Sequence, residues 1–108
     1  MSVSKVICQR KHAKMRASQR YQLTLNKDKL RVICKQIQEG KGAKYVARQS
    51  FRVTIWEVTY EGKNLWAVYD RMRHTVVTFL PPSLTRDKII EQIETGEIDH
   101  EFTEMLEK

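Results

Sequence analysis

Three side chains spaced four apart raise the question of chemistry: His12, Arg16 and Arg20. On a helix, positions i, i+4 and i+8 lie along one slowly rotating line, so a phosphate chain laid across that line could meet all three. Histidine titrates near neutrality and can take or give a proton, whereas a guanidinium only binds and neutralises charge. Thr78 adds a hydroxyl in the segment Val76-Val77-Thr78-Phe79-Leu80, where strict alternation predicts a face shared with Val76 and Leu80. A proton shuttle, cations and an orienting donor are what metal-free phosphodiester cleavage needs, because RNA supplies its own nucleophile, the 2′-hydroxyl. The same line of cations also fits the plain solvated face of a surface helix.

Other reaction classes lose support. There is no Gly-rich phosphate loop, no HExxH, no paired-cysteine zinc pattern and no Ser or Cys in a nucleophile motif. Neither a cofactor nor a metal is expected. Cys8 and Cys34 have no Cys or His neighbour at ligand spacing and read as two reduced, largely buried thiols. A disulfide between the first two helices would need an oxidising compartment. His74, by a turn of basic residues, and His100, in an acidic tail, are placed less usefully for a nucleic-acid phosphate.

The charge is informative through its distribution. Of the chain's 20 Lys or Arg and 13 Asp or Glu, residues 1–82 hold 17 and 5, and residues 83–108 hold 3 and 8. A basic body with an acidic tail predicts a polyanion partner for the body. Lys11, Lys14, Lys41, Lys44, Arg48 and Arg52 are the candidates for an RNA backbone, and Tyr45 is the ring best placed to stack on a base. Most of Trp56, Tyr60, Trp66 and Tyr69 must serve the core, since a chain of 108 residues has few other large groups to bury.

The elements that must position these residues follow from composition and period. Residues 4–21 lack Gly and Pro and are rich in helix formers. Asn26 caps a second helix whose apolar positions Leu30, Ile33, Cys34 and Ile37 precede a stop at Gly40. From Lys44 to Leu80 the chain is dense in β-branched and aromatic residues, which predicts four strands at about 44–49, 52–60, 65–70 and 74–80. Short connections make them an antiparallel meander, with the helices expected on one face. Pro81-Pro82 ends the sheet, Ser83 or Thr85 caps a third helix carrying Leu84, Ile89, Ile90 and Ile93, and Gly96 interrupts it. A last acidic helical turn or two is expected over 99–107. The fold class is therefore α+β, a single domain of two N-terminal helices on a four-stranded antiparallel sheet, followed by an acidic helical tail. No apolar run approaches the roughly 20 residues of a membrane span, and the first residues do not read as a secretory signal, so a cytoplasmic protein is expected.

The order of features resembles a known group. Arg10-Lys11-His12-Ala13 through Arg16 and Arg20-Tyr21, then Glu39-Gly40, Trp56-Glu57-Val58, Trp66-Ala67-Val68-Tyr69-Asp70 and Val76-Val77-Thr78-Phe79-Leu80-Pro81, look like the metal-independent ribonuclease fold of barnase, colicin D and RelE-like toxins. The resemblance covers about residues 8–82. It implies RNA, as tRNA or message, bound in a cleft between helices and sheet, cleavage by His12, Arg20 and Thr78 with Arg16 in support, and a cognate inhibitor protein as partner. The alternative is a non-catalytic regulator that grips nucleic acid or an acidic protein with the same basic body. The acidic tail is then a docking segment or a brake on that body.

Overall fold

The computed structural model describes residues 5–95, with side chains from Gln9 onward. The expected acidic turn over 99–107, the stop at Gly96, and the side chains of Cys8 and His100 lie outside the described residues. The first helix, α1 (Lys5–Tyr21), buries Gln9, Ala13, Ala17 and Tyr21, one residue every fourth. Two alanines in the middle of that stripe let the helix axis come close to the sheet. The second helix, α2 (Lys27–Glu39), starts where the Asn26 side chain accepts from the Lys29 N–H at 2.8 Å. It ends at Gly40, which takes a left-handed φ of 68° and turns its N–H back on Gln36 and Ile37.

Four strands follow: β1 (Ala43–Arg48), β2 (Val53–Tyr60), β3 (Lys63–Asp70) and β4 (Thr75–Leu80). They pair antiparallel in chain order, so β1 and β4 are the two edges. Glu61 and Gly62, both at positive φ, form the two-residue turn that matches strand twist between β2 and β3. The third helix, α3 (Arg86–Thr95), is capped by Thr85, whose hydroxyl accepts from the Lys88 N–H at 3.2 Å.

The helices lie on both faces of the sheet, not on one. Val58, Leu65, Ala67, Tyr69, Val76 and Phe79 pack under α1 and α2. Val53, Ile55, Val68, Val77 and Leu80 form a second cluster with Ile89 of α3. The expectation of one helical face failed because all six residues of β4 are buried, which a strand with one wet face would not show.

Each edge strand carries one bulge. In β1 the pairing steps from Tyr45–Trp56 to Ala47–Ile55, leaving Val46 as the extra residue. In β4 it steps from Val68–Thr78 to Tyr69–Val76, leaving Val77 unmatched. An extra residue reverses which neighbours share a face, and the β4 bulge decides where Thr78 points.

Candidate nucleic-acid interface

The sequence-predicted residues divide into two groups on opposite edges of the sheet. His12, Arg16 and Arg20, with Lys11 and Lys14, lie on α1, which covers β4. Lys41, Lys44, Tyr45 and Arg48 belong to β1 and the loop before it. Three interstrand spacings, about 14 Å, separate β4 from β1. Arg52 lies between the two groups, at the end of the sheet where the β1–β2 and β3–β4 turns meet.

The α1 group is engaged within the fold. Arg16 Nε donates to His12 Nε2 at 3.4 Å, and Arg16 Nη1 donates to Gln19 at 3.1 Å. Arg20 Nη1 donates to the Phe79 carbonyl at 2.7 Å, so its guanidinium closes part of the β4 edge. Beside it the buried Tyr21 hydroxyl donates to the Leu80 carbonyl and accepts from the Trp66 N–H, bridging the last rung of the sheet. Burial pushes the Tyr21 phenol up, with the Trp66 N–H and the Arg20 charge acting in the opposite sense.

Thr78 does not join this group. It pairs with Val68, a member of the α3-side cluster, while its neighbours Val76 and Phe79 face α1. Thr78 therefore shares a face with Leu80 but not with Val76, because the bulge at Val77 breaks the alternation that the expectation assumed. Its side chain is fully buried, and its hydroxyl has no hydrogen-bond partner among the described residues. The four expected catalytic side chains thus do not line one groove.

The end of the sheet holds a cluster that the sequence did not announce. Asp70 is fully buried and collects five donors. Its Oδ2 accepts from Arg52 Nη2 at 2.9 Å, Arg73 Nη1 at 3.2 Å and Gln9 Nε2 at 3.2 Å. Its Oδ1 accepts from the Met72 and Arg73 N–H groups at 2.9 and 3.1 Å. Burial alone would push this carboxyl up, but the Arg52, Arg73 and Gln9 hydrogen bonds and the Arg52 charge outweigh it, so it lies below the ordinary carboxylate value. One anion thereby organises two arginines, and Arg71 Nη1 ties the turns together through the Phe51 carbonyl at 3.2 Å.

Along the β1 edge the surface alternates cations with rings. Tyr45 is 50% exposed and packs edge-on against Trp56, ring centres 5.5 Å apart. Phe51, in the β1–β2 turn, is 76% exposed, and Met72, in the β3–β4 turn, is 62% exposed. Lys44 and Arg48 are exposed on the same strand, and Arg71 is exposed beside the turn. Lys44 faces Glu57 across the ladder, which offsets part of its charge, whereas Arg48 faces Thr54. Sequence reasoning found Tyr45 through its edge position. It missed Phe51 and Met72, whose only signal was an apolar residue inside each of two polar turns, and Arg71 beside the second.

Cys34 is free and buried, and burial raises its thiol above the usual range. Among the described residues no group of His, Cys, Asp or Glu could hold a metal ion, and no helix is long and apolar enough to cross a membrane. In comparison with known proteins, the chain matches no family model, no curated protein and no solved structure.

Proposed function

We propose that the chain binds single-stranded RNA along the β1 edge and its adjoining turn, as a cytosolic protein that does not cut what it holds. The observation that carries this reading is the interleaving of two exposed rings, Tyr45 and Phe51, with Lys44, Arg48 and Arg71 on one border of the sheet. Six residues of chain span at most about 20 Å, so both rings fall within reach of a few unstacked bases. Rings accept any base face, and the cations track the phosphates, a combination suited to sequence-tolerant binding. Cleavage by His12, Arg16 and Arg20 would lack the orienting hydroxyl of Thr78, which is buried on the other face.

The test is fluorescence anisotropy of a labelled single-stranded RNA across a salt series, with a gel of the same RNA after incubation in chelator. Binding should weaken linearly in log–log form, and Lys44→Ala with Arg48→Ala should reduce the slope by about 1.4, near 0.7 for each lost phosphate contact. The RNA should stay full length with the wild type and with His12→Ala alike. Fragments that disappear in His12→Ala would overturn the non-catalytic reading.

A further inference from the structure

A cavity of about 280 Å³ opens between α2, the first half of α1 and the start of β4, away from the β1 edge. Its basic side chains come from three elements: Arg10 of α1, Lys27, Arg31 and Lys35 of α2, and His74 at the entry to β4. The α2 cations stand at i, i+4 and i+8 and therefore share one flank of the helix. Arg31 lies 3.9 Å from Asp28 and Lys35 lies 3.8 Å from Glu39, both exposed pairs that solvent weakens. Among the described residues Glu39 is the one acid on the wall.

Thr75 also lines this cavity. It is 1% exposed, and its hydroxyl has no oxygen or nitrogen partner among the described residues. It lies beside the Cys34 thiol, another lining group, which is a poor substitute for an oxygen acceptor. Buried hydroxyls are nearly always paired in folded proteins, so the Thr75 hydroxyl, on the wall of a cationic cavity and held by no oxygen, is a donor open to an anionic oxygen. The volume sits at the small end of the roughly 300–1,000 Å³ range of ligand pockets, enough for a compact anionic group.

We propose that this cavity binds a phosphate monoester, with Arg10 and Arg31 supplying charge-assisted hydrogen bonds and the Thr75 hydroxyl donating to one phosphate oxygen. The site is separate from the β1 edge, and either stands without the other. A monoester can reach it as a free nucleotide or as the 5′-phosphate of an RNA.

The experiment is an NMR titration of the full chain with inorganic phosphate and with a nucleoside 5′-monophosphate, followed by competition with a short RNA carrying either a 5′-phosphate or a 5′-hydroxyl. Saturable one-to-one binding with shifts confined to Arg10, Arg31, Cys34, His74 and Thr75 is expected. Thr75→Val, which keeps shape and charge, should weaken phosphate about tenfold while the rest of the spectrum is unchanged, and Arg31→Ala should weaken it to a similar extent. Lys44→Ala should leave phosphate affinity unchanged. Stronger competition by the 5′-phosphorylated RNA identifies an RNA end as a source, and equal competition identifies the free nucleotide. Wild-type affinity in Thr75→Val, or shifts spread over every cationic surface without saturation, would overturn the site.

Discussion

The two edge strands of one sheet are handled in opposite ways. β4 is buried along its whole length, and α1 reaches its carbonyls through Arg20 and Tyr21. β1 leaves Lys44, Tyr45 and Arg48 in solvent, and Arg86 of α3 meets its backbone at the Tyr45 carbonyl, 3.4 Å away. Edge strands invite unwanted pairing, and a fold can cover the edge or charge it. Here each solution appears once. On the covered side Arg20 is tied to the β4 backbone, whereas Lys44 and Arg48 on the open edge face solvent, so the same residue types read differently on α1 and on β1.

The largest expected effect lies at Asp70, where the covered side and the turn end are joined through Gln9, Arg52 and Arg73. Asp70→Asn should destabilise the fold by about 3 kcal/mol, because it strands guanidiniums around a buried neutral group. Urea denaturation measures this. Asp70 also sets an acid limb. A carboxyl held low in the folded state contributes stability that is complete above its unfolded value, about 3.9, and is lost as pH falls through the folded value. Wild type should therefore lose stability below about pH 4, a loss absent from Asp70→Asn; parallel curves would contradict the assignment.

Next comes Tyr21→Phe, which leaves the Trp66 N–H and the Leu80 carbonyl without their bridge. A loss of about 2 kcal/mol is expected, visible as a lower urea midpoint at unchanged slope. The wild-type phenol, raised by burial, contributes stability that is present below about pH 10 and disappears as pH climbs through its folded value. Thr78→Val should move stability the other way, up by as much as about 1 kcal/mol, since it removes an unpaired buried hydroxyl. A loss of RNA binding in Thr78→Val would break the contrast between the edges. Smallest are Lys44→Ala and Arg48→Ala, which should each alter stability by under about 0.5 kcal/mol.

What the sequence revealed follows the range of the interactions. The second helix was legible in full, because Asn26, the stripe Leu30-Ile33-Cys34-Ile37 and Gly40 act within a few residues of one another. The four strands and Pro81 were legible for the same reason. The bulge at Val77 was not, since Val-Val-Thr contains no glycine to mark an extra residue and all three favour strands equally. That one insertion moved Thr78 to the far face and separated it from His12, Arg16 and Arg20. Asp70 fell at the end of the third strand predicted over 65–70, and its partner Gln9 lies 61 residues away in the chain, beyond any local pattern.

The most direct test of the open edge is the affinity of a single-stranded RNA for Tyr45→Ala and for Arg20→Ala, each checked for an intact fold. Loss of the stacking ring should weaken binding by about 1–3 kcal/mol, roughly five- to a hundredfold or more, while Arg20→Ala should bind as wild type does. Unchanged affinity in Tyr45→Ala together with lost affinity in Arg20→Ala would place the ligand on the α1 side and contradict the account.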